Sequence, residues 1–228
     1  MTVFKPRPSP NFGSRAKTIK IDMLVIHYTG LPSAEFSLER LCDPKMKVSA
    51  HYLIDEEGII FQLVNEKNRA WHAGVSYWAG ETDTNSRSIG IELQNPGHEW
   101  GYTPFTHLQM GALRELSQDI MSRYEISNRL VLGHSDVAPA RKKDPGHLFD
   151  WEWLAESGVG YWPEPRPVDG PVDSISIRKS LNNIGYDPGA KIVDVITAIQ
   201  RHYRPKRIDG IIDSDCVSII NALENREP

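Results

Sequence analysis

The stretch from Ser88 to His134 constrains the fold more than any other, because its hydrophobic period switches twice. Ser88 to Gln94 alternates, with Ile89, Ile91 and Leu93 on one face of a strand and Gly90, Glu92 and Gln94 on the other. Thr106 and Gln109 then form a capping-box signature, and Leu113, Leu116, Ile120 and Tyr124 come after them at helical spacing. Leu130 to Leu132 is a second short strand, closing at Gly133-His134. Two further runs match this rhythm. Ile21 to His27 (IDMLVIH) is apolar and rich in β-branched residues, and stops at Tyr-Thr-Gly. Ser49 to Leu63 divides into two strands about the turn Asp55-Glu56-Glu57-Gly58, where Gly58 suits a positive φ. Strands separated by helices predict an α/β fold, a mixed central β-sheet flanked by helices.

Beyond that unit the pattern changes. Residues 163–171 read PEPRPVDGP, a stiff, extended linker composition. The remainder of the chain is helical only: one candidate closes on Leu181 and Ile184, a second carries Ile192, Val195, Ile196, Ile199 and Tyr203, and a third carries Cys216, Ile219, Ile220 and Leu223. The expected division is an extended arm over 1–20, an α/β domain over 21–162, the linker over 163–171 and a small all-α three-helix domain over 172–228. With 39% hydrophobic residues the chain can bury a sizeable core, and no stretch approaches the ~20 apolar residues of a membrane span. A net charge of −4 argues against nucleic acid as a partner. Cys42 and Cys216 are too few for a disulfide scaffold. The arm has basic residues with no apolar export segment behind them, which leaves cytoplasm and periplasm or cell envelope both open.

Two of the eight histidines stand where functional groups tend to sit. His27 and His134 each close an apolar strand, so a rigid element holds the side chain while the next loop leaves room beside it. Asp144 comes ten residues after His134, in ARKKDPG. Two imidazoles and a carboxylate suit a catalytic zinc, three ligands leaving a fourth position open. The competing reading makes each His an ordinary strand-end residue bonded to a carbonyl. There is no HExxH, which excludes a zincin helix. Glu92, on the polar face of its strand, is a candidate acid/base if that face floors a cleft; a solvent-facing carboxylate is the alternative. Lys142, two residues before Asp144, could meet a developing oxyanion; a solvated basic loop with Arg141 and Lys143 is the alternative.

Five fragments in series decide between these readings: VIHYTG around His27, SAHYLID at 49–55, WHAG at 71–74, NSRSIGIELQN at 85–95 and LGHSDVAPARKKDPG at 132–146. Together, over residues 8–162, they resemble the zinc-dependent N-acetylmuramoyl-L-alanine amidases of type 2, which share their fold with peptidoglycan recognition proteins. SPNF near the start and the trailing domain resemble the branch with a C-terminal extension. The resemblance implies one zinc per chain on His27, His134 and Asp144, with Glu92 as acid/base and Lys142 stabilising the tetrahedral intermediate. It implies a peptidoglycan or muropeptide substrate, cut between N-acetylmuramic acid (or its 1,6-anhydro form) and L-alanine. Asp rather than Cys as third ligand is similar to the bacterial enzymes. A non-catalytic recognition module and a phage-type endolysin are the alternatives.

Trp71 and His72 are expected on the cleft wall, against a sugar face or peptide stem, and His51 is expected to be structural. His98, His107, His147 and His202 read as surface residues. The helical domain, with LNNIGYDPG, AIQRHY and IDGIID, resembles the peptidoglycan-binding domain of type 1.

Overall fold

The computed structural model describes residues 4–16, 18–165 and 174–225. The first half of the chain runs β1 (Lys5–Pro6), β2 (Phe12–Ser14), β3 (Met23–Tyr28), α1 (Ala34–Cys42), β4 (Tyr52–Ile54), β5 (Ile60–Gln62), β6 (Asn68–Ala70), α2 (Thr84–Arg87) and β7 (Ser88–Leu93). It continues through α3 (Gly97–Trp100), α4 (His107–Tyr124), β8 (Val131–Gly133), α5 (His134–Val137) and α6 (Trp151–Glu156) to the helices α7 (Ser174–Ile184), α8 (Ile192–Tyr203) and α9 (Ser214–Glu224). Six strands form one sheet in the order β1-β5-β4-β7-β3-β8. The neighbours of β3 and the β4–β7 pair are parallel, and the β4–β5 hairpin is antiparallel. This is the mixed sheet that the period switching predicts.

Local chemistry accounts for the elements. Thr106 accepts from the Gln109 backbone N–H at 3.1 Å, and the Gln109 side chain answers from 3.4 Å, so the capping box forms as expected. In the β4–β5 turn, the Asp55 carboxylate accepts from Glu57 and Ile59 while Gly58 takes φ 79°. A Cβ at Gly58 would also stand 2.7 Å from the Leu108 carbonyl, so the turn excludes larger residues twice over.

Two short segments of the arm are paired. β1 adds to the sheet edge beside β5, and β2 pairs with β6. Between them and β3, Arg15 reaches inward and donates to the carbonyls of Glu66, Asn85, Ser86 and Ser88 at 2.7–2.9 Å.

Alternation along the strands gives the sheet two different faces. Leu24, Ile26, Ile89, Ile91 and Leu93 pack under Leu113, Leu116 and Ile120 of α4. Met23, Val25 and Leu132 point the other way and are covered by Ile177, Leu181, Ile196, Ile199, Ile220 and Leu223 of α7–α9. The three helices thus match the sequence reading closely, and they lie against the sheet. Of the Pro-rich stretch, residues 166–171 fall outside the described residues, as do residues 1–3, 172–173 and 226–228.

Candidate functional site

The second face carries the site. Along β3 the residues Met23, Val25 and His27 share it, and across β8 into α5 so do Leu132 and His134. β7 brings Gly90 and Glu92 onto the same face, with Glu92 opposite His27 in register. These are the carboxyl ends of parallel strands, where open α/β sheets hold their ligands. The α7–α9 helices cover the lower rows and leave the upper ends to a cleft of about 690 Å³.

Three side chains converge there. His27 Nδ1 lies 2.9 Å from His134 Nδ1 and 3.0 Å from Asp144 Oδ2, and His134 Nδ1 lies 2.9 Å from the same oxygen. All three residues are buried. His134 points its Nδ1 inward because Nε2 faces the Ala73 carbonyl at 2.9 Å, which can only accept. The Ala73 peptide is held in turn: Asn85 Oδ1 accepts from the His72 and Ala73 backbone N–H groups, and Arg141 Nη2 donates to the Ala73 carbonyl at 2.6 Å. Asp144 is anchored by its own carbonyl, which accepts from Ser135 N–H at 2.9 Å. The loop that brings it back has a cis Asp144–Pro145 bond and Gly146 at φ 86°, where a Cβ would strike the Tyr102 hydroxyl.

Electrostatics follow from this crowding. Burial, reinforced by His134, pushes His27 down to about 4, so its ring is neutral near pH 7. Glu92 is the opposite case. Burial first and the Asp144 charge second push it up to about 8, against a partial offset from Lys142. Its Oε2 is buried and, among the described residues, has no hydrogen-bond partner. The positive charge of Lys142 also reaches His27, and Lys142 lines the same cleft.

Trp71 is partly buried and lines the cleft. His72 reaches the lining but is 8% exposed, with Nδ1 on His27 at 3.0 Å and Nε2 on Ser88 Oγ at 3.2 Å. Both ring nitrogens are therefore committed to protein groups. His51 is fully buried and accepts from Gly90 N–H, in line with a structural role.

The family now rests on geometry as well as motifs, and residues 17–147 match the family described as N-acetylmuramoyl-L-alanine amidase. The chain belongs to that amidase family. It is 39% identical to the N-acetylmuramoyl-L-alanine amidase AmiD of Escherichia coli (strain K12), covering 90% of this chain and 82% of that protein. It is 41% identical to the 1,6-anhydro-N-acetylmuramyl-L-alanine amidase AmpD of Haemophilus influenzae over 63% of this chain and 86% of that one. Among solved structures, the E. coli AmiD complex with anhydro-N-acetylmuramic acid-L-Ala-D-gamma-Glu-L-Lys superposes with a TM-score of 0.81 over 92% of this chain and 91% of that one, at 39% identity. Pseudomonas aeruginosa AmpDh3 superposes with a TM-score of 0.82 over 98% of both chains, at 31% identity. Like these bacterial amidases, the chain has the mixed α/β fold. No helix among the described residues is long and apolar enough to cross a membrane.

Some of the site escaped the sequence reading. Tyr28 donates or accepts at His98 Nδ1 over 2.9 Å, and His98 stacks on Tyr102 with centroids 4.4 Å apart, so His98 belongs to the cleft rim. His202 corrects the surface reading outright: it is 3% exposed, stacked between Trp151 and Tyr203, and its Nδ1 lies 2.8 Å from Asp136 Oδ2. The signal was present, since His202 succeeds Val195 and Ile199 at helical spacing on the apolar face of α8.

Proposed function

We propose that this amidase hydrolyses the amide joining N-acetylmuramic acid, in its intact or 1,6-anhydro form, to L-alanine in peptidoglycan or muropeptides, using one zinc per chain. The observation that carries the reading is the triangle of His27 Nδ1, His134 Nδ1 and Asp144 Oδ2, with sides of 2.9–3.0 Å. At least two of these atoms, His134 Nδ1 and Asp144 Oδ2, present lone pairs to one another, an arrangement that calls for a cation between them. A neutral imidazole pair with a carboxylate matches zinc in ligand type. His27, His134 and Asp144 would hold it. Bound zinc supplies Lewis acidity, bringing the pKa of a water from 15.7 to about 7 and polarising a carbonyl.

The chain's own residues do the rest. Glu92, in its ionised form, takes the proton from the attacking water and returns it to the alanine nitrogen as the amide breaks. Lys142 brings an ammonium to the oxyanion of the tetrahedral intermediate. Trp71 offers an aromatic wall to the muramic acid or the peptide stem. Beside the cleft, and sharing Leu31, Arg40 and Trp100 with it, lies an apolar hollow of about 550 Å³ that includes Phe36 and Met46, room for the remainder of a muropeptide. The 1,6-anhydro form is supported by two neighbours solved with anhydromuramic ligands, the AmiD complex above and an AmpDh3 complex with anhydromuramic pentapeptide.

The test is to incubate the full chain with intact peptidoglycan and with anhydro-muropeptides, with and without a chelator, and to read products by mass spectrometry. The expected result is free peptide beginning at L-alanine, abolished by chelation and restored by zinc. Tight muropeptide binding without peptide release would overturn the reading in favour of a recognition module.

A further inference from the structure

We infer that His72 is a positioning residue that fixes the tautomer of His27, and that Ser88 fixes His72 in turn. The inference deepens the zinc reading of the site and rests on it. It comes from counting protons along one buried chain. Ser88 Oγ stands 2.6 Å from the Thr84 carbonyl, which can only accept, so the single hydroxyl proton of Ser88 is spent there. His72 Nε2 lies 3.2 Å from the same Oγ, and with that proton gone the contact requires an N–H on His72 Nε2. A neutral ring then has its lone pair on Nδ1. That atom faces His27 Nε2 at 3.0 Å, so His27 carries its proton on Nε2 and turns the bare Nδ1 toward His134 and Asp144. The reverse direction would turn the Ser88 hydroxyl proton onto His72 and leave Ser88 Oγ and the Thr84 carbonyl, two acceptors, facing each other at 2.6 Å.

The surroundings hold the relay in place. Ser88 is fully buried, and His72 has its backbone N–H on Asn85 Oδ1 at 3.1 Å. Gly90 makes the space: a Cβ there would stand 2.4–2.6 Å from the His72 ring. His134 reaches the same end by a shorter route, since the Ala73 carbonyl fixes its tautomer directly. The two imidazoles are thus oriented independently, His134 by one peptide and His27 by a three-residue chain. Outer partners of this kind typically change metal affinity about 10–100-fold when removed.

The experiment titrates zinc into the metal-stripped full chain against a chromogenic chelator, for wild type, His72→Phe, Ser88→Ala and Ser88→Thr. His72→Phe keeps a ring and removes the acceptor, and should weaken zinc about 10–100-fold while the metal-free melting temperature stays that of a folded protein. Ser88→Ala should weaken it less, and Ser88→Thr, which keeps the hydroxyl, should restore it. Histidine 15N spectra of the wild-type chain provide a readout that needs no variant: His72 should be protonated at Nε2 and bare at Nδ1. Wild-type zinc affinity in a folded His72→Phe, or a His72 proton on Nδ1, would overturn the inference and leave the zinc site standing. Failure of the wild type itself to bind zinc would remove the site reading and the relay together.

Discussion

One sheet face does two jobs in this molecule, and the contrast shows how a core becomes a site. At its lower end Met23, Val25 and Leu132 are sealed under α7–α9, with Ile196, Ile199 and Ile220 fully buried against them. One or two residues further along the same rows, His27, His134 and Glu92 replace the apolar side chains and the cover stops. Both places lie on the same paired strands. What differs is the chemistry of the last residue on each strand and whether a helix lies over it. The two regions also touch: Asp136, on the short helix begun by His134, accepts from Gly133 N–H at 2.7 Å, from the Tyr186 hydroxyl at 3.2 Å and from His202 at 2.8 Å. The helical unit therefore holds the turn that presents a candidate metal ligand.

The sharpest way to separate the regions is to change chemistry at the upper end and read both activity and stability. Glu92→Gln should lower turnover by about 100–10,000-fold, measured on an anhydro-muropeptide, with zinc still bound. Lys142→Ala should lower it about 100–1,000-fold, the loss of one oxyanion donor, about 2.7–4 kcal/mol. An unchanged rate in either variant takes that residue out of the scheme. At the lower end the effect should appear in stability instead. Asp136→Ala strands Gly133 N–H, the Tyr186 hydroxyl and His202, at about 1–3 kcal/mol for each buried donor left unpaired. Denaturant unfolding that matches wild type would show that the helical unit does not hold the turn.

Glu92 links function to stability as well. Its carboxyl titrates near 8 in the fold against 4.5 ordinarily, so between those values the unfolded chain ionises it while the folded chain must keep the proton. Metal-free wild type should lose stability relative to Glu92→Gln as pH rises through that window, by up to about 1.4 kcal/mol per pH unit, and the difference should level off above about pH 8. A difference independent of pH would mean that burial does not perturb this group. The smallest change is Tyr186→Phe, which removes one of three donors to Asp136 and should cost about 1 kcal/mol.

Much of the molecule is legible in its sequence. His27 and His134 stand out because a strand end next to Gly or Tyr-Thr-Gly is a rigid post beside an open loop, and Gly58, Thr106 and the three closing helices obey local rules. The parts that are not legible depend on what packs across from them. Nothing local says that Lys5–Pro6 and Phe12–Ser14 join sheets, since their partners lie more than 50 residues away. Glu92 can be placed on the polar face of β7, but its registry with His27 belongs to the sheet order. The role of His72 depends on Ser88 and Thr84, which are remote in sequence from WHAG and next to it in space.

The central claim is that one cation joins two imidazoles and a carboxylate drawn from distant parts of the chain. Anomalous diffraction at the zinc edge, from crystals of active protein, tests it directly. A single strong peak within ligand distance of His27 Nδ1, His134 Nδ1 and Asp144 Oδ2 is the expected result; in crystals that still cleave muropeptide, a zinc peak elsewhere or none between these three atoms would contradict it.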